Sequence, residues 1–243
     1  MNTVVHKVLL LCCIFIALLS HNSAALDLTV VSDHAPPHII EPTRNGIDVD
    51  ITLAILQKIG HSSNLRFMPL KRGRLEVLKK NADLFLPTFY ERDSKGLFIS
   101  DAIIEYRPTF FTRSNEKLAI KSIADLANKR IVTFQGASQY FGDEFLAMTK
   151  RNKNYREVSS MSVLPLLLMK ERYDVVLLDY YIFYYFLKAH RLSDVQEHVI
   201  FDSVDAHVGF NDVDLRNNFN DALNTVKHSE EYRLIIRKYL PHY

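Results

Sequence analysis

Short apolar segments alternate with helix-like segments along the chain, and this alternation limits the possible folds more than any other feature. The apolar run at 28–31 stops before two prolines, which neither kind of regular structure continues through. Apolar residues at helical spacing follow in 49–60, then a strand-like segment at 65–68, a second helical segment at 75–82 and a third apolar strand at 84–86. This order predicts a parallel sheet covered by helices.

A second series of the same kind begins near residue 120. Its predicted elements are a helix at 123–127, a strand at 130–134, helices at 140–148 and 163–170, and a strongly apolar strand at 174–178. After it the chain returns to a short strand at 207–210 and a long amphipathic helix at 213–239. Each series needs its own covered sheet.

The chain is therefore predicted to form two α/β lobes, each with a mainly parallel sheet flanked by helices. The first lobe takes residues 26–110 and 205–243, and the second takes 111–204. Ligands of parallel sheets collect at the carboxyl ends of the strands. Those ends are the loops at 32–38, 69–74 and 87–92, where a site is expected.

Residues 1–25 have the pattern of a secretion signal. Lys7 is followed by twelve apolar residues at 8–19 and by small residues at 23–25. Twelve apolar residues fall short of the roughly 20 that a transmembrane helix needs, so cleavage near Ala25 and export to the periplasm are predicted. Both cysteines, at positions 12 and 13, lie in this segment, which leaves the mature chain without disulfide or thiol chemistry.

Charge and histidine spacing argue against two classes of function. Without the first 25 of its 243 residues the chain has 218, with 29 basic and 28 acidic side chains, too balanced for a nucleic-acid-binding surface. His34 and His38 are four apart but flank Pro36 and Pro37, so they share no helix face for a metal. No nucleic acid, metal or cofactor is expected, and the protein is expected to be a monomer.

Several motifs, in order, resemble the family 3 extracellular solute-binding proteins. They are a G-hydrophobic-D-hydrophobic-D helix start at 46–50 and a glycine turn at 135–138. Other segments resemble L-x-x-G-x-x-D at 78–83, with Asn81 close to the usual glycine, T-x-x-x-R…F-S at 87–101, and S-hydrophobic-x-D-L-x-G at 122–128, which ends in Asn128. A P-W-x-R element at 69–72 has Leu70 in place of the tryptophan. The resemblance implies a two-lobed type II periplasmic-binding-protein fold. It also implies a small amino-acid-like or other carboxylate ligand, held between the lobes and delivered to the permease of an ABC importer.

Two charged residues are the main ligand-binding candidates. The resemblance implies that Arg92 binds the ligand carboxylate, which the guanidinium fork suits. The alternative is an exposed arginine paired with Glu91 or Asp93, which contributes about 0–1 kcal/mol. Asp179 ends the most apolar strand and is predicted to bind the ligand ammonium from the second lobe. Its alternative role is the N-cap of a helix at 180–187, and the two roles can coexist.

Five further residues complete the predicted site. Gly136 and Ser138 precede a helix, so their N–H groups and the hydroxyl can face an anionic group, or can simply cap that helix. Thr88 is expected to line the first lobe near Arg92. Asp33 ends the first strand, and Arg72 can add positive charge unless it lies on a solvated helix start. The aromatic residue expected after the first strand is missing, since Ala35 and Pro36 stand there.

Other function classes stay open at this point. A G-x-S-x-G hydrolase motif would need a second glycine, which 136–140 lacks. An enzyme on the same scaffold, similar to the periplasmic cyclohexadienyl dehydratases, would use Arg92 for a substrate carboxylate and Asp179 or Glu144 as the acid. A soluble sensory partner of a membrane receptor is the other alternative. Binding without catalysis is the function predicted here.

Overall fold

The computed structural model describes residues 25–89, 92–93 and 96–240. Residues 1–24 of the predicted signal segment at 1–25, which include both cysteines, lie outside these ranges. The helices are α1 (Ile47–Lys58), α2 (Leu70–Leu78), α3 (Gly142–Arg151), α4 (Leu164–Met169), α5 (Tyr180–Ala189), α6 (Val213–Lys227) and α7 (Glu230–Tyr239). Within the described ranges, none of the helices combines the length and the apolar character needed to cross a membrane.

The strands form two sheets. They are β1 (Asp27–Ser32), β2 (Ser62–Phe67), β3 (Leu84–Thr88), β4 (Phe98–Ile99), β5 (Ile104–Tyr106), β6 (Pro108–Arg113), β7 (Ile131–Phe134), β8 (Tyr155–Val158), β9 (Val175–Asp179), β10 (Val195–His198) and β11 (Val204–Phe210). The first sheet has the order β2-β1-β3-β11-β4, with β5 also paired to β11, and the second has the order β10-β6-β9-β7-β8.

Parallel and antiparallel pairs divide each sheet in the same way. The strands β1, β2 and β3 are parallel, whereas β11 runs antiparallel to β3, β4 and β5. In the second sheet β7, β8 and β9 are parallel, whereas β6 is antiparallel to both β9 and β10. The chain passes from one sheet to the other between β5 and β6 and again between β10 and β11, all of which pair antiparallel.

Side chains on both faces of each sheet are buried, as strands covered by helices on two sides require. In β9, Val175 and Leu177 join one apolar cluster, while Val176 and Leu178 join another. Because successive side chains point to opposite faces, this alternation places each set in a different layer. The larger cluster includes residues of both sheets, so the two sheets share a continuous apolar contact.

The last two helices pack on the first sheet. The Tyr239 hydroxyl accepts a hydrogen bond from Gly46 N (3.0 Å) and donates one to Asp50 Oδ2 (2.6 Å). The Tyr232 hydroxyl donates to Ile103 O at 2.9 Å. The chain segments after β11 are therefore attached to α1 and to the segment before β5.

Two of the predicted helices and the predicted lobe boundary need correction. The single helix expected at 213–239 is divided, because Ser229 Oγ accepts a hydrogen bond from Tyr232 N and caps a new helix. The helix expected at 123–127 is only a short 3₁₀ segment, Ile123–Leu126. The predicted lobe boundary at 110/111 falls inside β6, which belongs wholly to the second sheet, so the change of sheet lies at Arg107.

We expect Gly46→Ala to destabilise the fold more than Gly60→Ala. Both glycines have positive φ, +137° and +85°, which costs a side-chain-bearing residue about 1–3 kcal/mol. A Cβ on Gly46 would lie 2.2 Å from His38 O, whereas a Cβ on Gly60 meets no atom within 4 Å. The clash should add roughly 1–3 kcal/mol to the loss of stability in Gly46→Ala. Urea unfolding of Gly46→Ala and Gly60→Ala measures this as the difference between their free energies of unfolding. Equal losses would contradict this close approach.

Candidate ligand-binding cleft

A cavity of about 50 Å³ lies where the two sheets meet, large enough for a few water-sized groups. Its walls come from both sheets and from the loops that follow them, and they consist of Phe89, Tyr106, Pro108, Phe134, Tyr140, Phe141, Asp179 and Val204. It lies at the carboxyl ends of β3, β7 and β9, where parallel sheets bind their ligands. Among the described residues that line the cavity, Asp179 is the one with a charge.

Aromatic rings make up most of the cavity wall and connect the two sheets. The ring centroid of Phe89 lies 5.1 Å from that of Tyr106 and 5.7 Å from that of Tyr140, both in edge-to-face geometry. Tyr140 in turn lies 6.0 Å from Phe134. These separations are those of favourable ring pairs, so the wall is both apolar and well packed.

Asp179 is a buried carboxylate with several donors from its own chain. Its Oδ1 accepts hydrogen bonds from Tyr181 N (2.9 Å) and Ile182 N (3.1 Å), which makes it the N-cap of α5. Its Oδ2 accepts from Arg107 N at 2.7 Å. The capping role considered for Asp179 is therefore present, and the residue also lies at the cavity, where its predicted ligand role stays a prediction.

His38 reaches Asp179 from the first sheet side of the cleft. Its Nε2 lies 3.5 Å from Asp179 Oδ1, and its Nδ1 lies 2.8 Å from Asp48 Oδ1. Tyr106 donates its hydroxyl to Asp48 Oδ2 at 2.8 Å and stacks on the His38 ring with 3.9 Å between centroids. His38 and Asp48 are fully buried, so this cluster connects the two lobes away from water.

The charge state of His38 follows from its neighbours. Burial acts to lower the pKa of His38, but the charges and hydrogen bonds of Asp48 and Asp179 outweigh it and raise the pKa to about 10. Burial and the charge of Asp48 raise the pKa of Tyr106, which therefore stays a neutral donor. The cluster holds an imidazolium between two carboxylates at neutral pH.

We expect stability to fall as the pH rises from about 7 to about 10. In this window the folded chain keeps a proton on His38 that the unfolded chain has released, since an unperturbed histidine has a pKa near 6.5. The free energy of unfolding should fall by up to about 1.4 kcal/mol per pH unit from this group. Urea melts of the wild type and of His38→Gln measure it. Identical slopes in the two proteins would contradict a charged His38.

The glycine turn does not offer its N–H groups to the cavity in this structure. Gly136 N and Ser138 N donate to the two carboxylate oxygens of Glu157, at 2.7 and 2.9 Å. Tyr155 donates its hydroxyl to the same carboxylate. Burial would raise the pKa of Glu157, but these hydrogen bonds lower it overall, so the turn already holds an anion from its own sheet.

The other predicted site residues lie outside the cavity lining. Arg92 is exposed, as is Arg72 on α2, and the immediate neighbours of Arg92 at 90–91 are outside the described residues. Thr88 is buried at the end of β3, next to Phe89, and pairs with His207 of β11. Asp33 is half-buried and accepts a hydrogen bond from His34 N. Of the seven predicted residues, the structure brings Asp179 alone to the cavity.

Several residues at the site were not among the predicted ones. Phe134 ends a predicted strand, and Tyr140 and Phe141 follow the glycine turn after it. Their position at the carboxyl end of a strand is the sequence signal that could have placed them at the site. No local pattern marks His38, because its partners are 10 and 141 positions away along the chain. The cluster exists only through the fold.

No protein-family model matches the sequence, and no curated protein matches it. Solved structures do match. The GluR0 ligand-binding core in complex with L-glutamate has a TM-score of 0.76 at 15% identity, over 90% of this chain and 100% of that chain. A histidine kinase sensor domain with similarity to periplasmic binding proteins has a TM-score of 0.75 at 16% identity, over 88% and 96%. The chain has the type II periplasmic-binding-protein fold.

A third structure extends the comparison to transport. An ABC uptake transporter substrate-binding protein from Streptococcus pneumoniae with bound histidine has a TM-score of 0.72 at 19% identity, over 89% of this chain and 93% of that chain. The fold predicted from the sequence is thus confirmed, and the neighbours are consistent with the resemblance to family 3 solute-binding proteins. Because one fold hosts many ligands, identities this low leave the ligand to the side chains of the cleft.

Proposed function

We propose that this chain is a periplasmic solute-binding protein that closes two lobes around a small amino-acid-like or other carboxylate solute and catalyses no reaction. The supporting observation is the cavity between the sheets, lined by residues of both and situated at the strand ends. A site shared by two lobes couples ligand binding to their relative position. The signal-like pattern at 1–25 supports export.

The proposed lobes follow the sheets. One contains residues 26 to about 107 together with about 204 to 243, and the other contains the segment between them. The chain would cross between lobes at Arg107 and again before β11. Since Arg107 N donates to Asp179, the first crossing would lie beside the cavity, so that movement of the lobes would change the cavity directly.

We propose that the partner is the permease of an ABC importer, to which the protein delivers the solute. The transport protein from Streptococcus pneumoniae supports it by its similarity in fold. The histidine kinase sensor domain supports a sensory role in the same way, so this second function is kept. Co-purification of the protein with either kind of membrane protein from the source cell distinguishes the two.

Arg92 remains the proposed partner of the ligand carboxylate. It follows β3 and Phe89, and it is exposed, so it can turn toward a solute at the cleft. Arg72 and Thr88 would flank it on the first lobe, with Asp33 at the end of β1. Gly136 and Ser138 would contribute only through the Ser138 hydroxyl, because Glu157 holds both of their N–H groups.

A ligand that binds only the folded chain should raise its stability. The expected gain is about 2.7 kcal/mol at a hundredfold excess over the Kd. Thermal-shift measurements over the amino acids, small carboxylates and small neutral aromatic compounds should give at least one hit. Phe134→Ala should weaken that binding roughly tenfold or more, as truncated aromatic contacts at a binding site do.

Tyr185→Ala provides the matched control for Phe134→Ala. Tyr185 is an exposed aromatic residue of α5 that does not line the cavity, so its removal should leave the affinity within error. A panel without any hit, on protein freed of bound ligand by unfolding and refolding, contradicts the proposed function. Formation of an aromatic product from prephenate or arogenate would instead identify an enzyme.

We expect Arg92→Ala to weaken binding of a carboxylate ligand by a factor of roughly ten or more, because a charge-assisted hydrogen bond contributes about 1.5–3 kcal/mol. Arg92→Lys should recover only part of the loss, since lysine lacks the planar fork. Calorimetry measures both, with Arg237→Ala as the control for loss of an exposed arginine on α7. Unchanged affinity in Arg92→Ala would remove it from the site.

A further inference from the structure

The contacts of Asp179 indicate which chemical class the cleft accepts, provided that the cleft is the binding site as proposed above. An ammonium group needs an anion whose charge is not already compensated and whose lone pairs are accessible. Asp179 Oδ1 accepts two backbone N–H groups and faces His38 Nε2 at 3.5 Å. Asp179 Oδ2 accepts Arg107 N, which leaves one lone pair of this carboxylate for another donor.

The charges around Asp179 balance without a ligand. Asp48 and Asp179 provide two negative charges, and His38 lies between them as an imidazolium. The second positive charge is Arg107, whose guanidinium stands 4.5 Å from the centroid of the Tyr180 ring at the start of α5. Its pKa is raised, chiefly by a hydrogen bond with Tyr181 and also by the charge of Asp179. The four groups sum to zero.

Apart from Asp179, the described residues that line the cavity offer an ammonium group no carboxylate. The other lining residues are aromatic side chains, one proline and one valine. Among the described residues that line the cavity, none is a second carboxylate. An ammonium group could reach Asp179 only through the one remaining lone pair of Oδ2, where it would add a positive charge to groups whose charges already sum to zero. Burying a charge without a partner is strongly unfavourable.

We propose that the cleft binds a small molecule that presents an apolar or aromatic group to the cavity and carries no ammonium group at Asp179, with His38 as the residue that determines this specificity. His38 supplies from the first lobe the positive charge that an amino-acid ligand would otherwise bring. The remaining lone pair of Asp179 Oδ2 suits a neutral donor such as a hydroxyl or an amide.

Matched pairs that differ only in the ammonium group test this directly. They are phenylalanine against 3-phenylpropionate, and leucine against 4-methylpentanoate, each measured by calorimetry on the wild-type protein. The member without the ammonium group should bind tighter, by roughly tenfold or more, because the ammonium group would be buried as an extra charge beside groups that already balance. Tighter binding of the amino acids would overturn the inference.

His38→Gln should weaken or abolish the preference if His38 sets it. Removing the imidazolium leaves the charge of Asp179 uncompensated on the first-lobe side, so the affinity ratio should shift toward phenylalanine by roughly tenfold, the reverse of the same penalty. His228→Gln, an exposed histidine after α6, is the control and should leave the ratio unchanged. An unchanged ratio in a folded His38→Gln protein contradicts the assignment to His38.

The wild-type pairs decide the question even if His38→Gln does not fold. Hits in the thermal-shift panel that all carry an ammonium group would refute this inference and leave the proposed function standing. A panel with no hit at all would refute both. Binding of neutral aromatic compounds such as benzyl alcohol, without any charged group, supports the inference and shows that the carboxylate is dispensable.

Discussion

The Asp179 carboxylate is the group on which the arrangement of the two lobes most depends. A buried carboxylate is tolerated only when donors surround it. Here the donors come from the start of α5 and from Arg107, where the chain changes sheets, while His38 Nε2 of the first lobe lies 3.5 Å away. The Asp179 side chain thus contacts the start of α5, the point where the chain passes between the sheets, and a residue of the other lobe. Removing this side chain would leave Arg107 N, Tyr181 N and Ile182 N without their acceptor, which costs more than losing any single hydrogen bond.

The cavity lies at this point because of how the second sheet is assembled. The strand β6 runs antiparallel to β9, with Pro108 opposite Asp179, so the chain enters the second sheet beside the residue that ends its central strand. The strand β7 lies on the other side of β9 and ends at Phe134. Rings from both lobes therefore gather where the crossing and the strand ends meet. Movement of one lobe against the other would change this place first.

Local pattern was enough to predict most of the parallel strands and their helices, because each is a run of apolar residues with a clear period. It did not predict β5, β6 or β10, which pair antiparallel near the crossings and whose partners are distant in sequence. The division of the last helix depends on one capping serine, Ser229, within an otherwise continuous amphipathic pattern. At the site, Asp179 could be predicted from the strand it ends, whereas the His38 cluster depends on three segments that only the fold brings together.

The motif that carries the resemblance illustrates why a shared fold does not identify a ligand. Asp48, the first acidic residue of the helix-start motif, is fully buried in the first turn of α1, where the helix dipole favours a negative charge. Its oxygens bind His38 and Tyr106, so it holds the first lobe together and positions the imidazolium. Asp48 therefore acts on the cleft through His38 and through Tyr106, which lines the cavity. In the specificity proposed here, the residue that faces Asp179 from the first lobe, His38, decides whether the cleft needs a positive charge from its ligand.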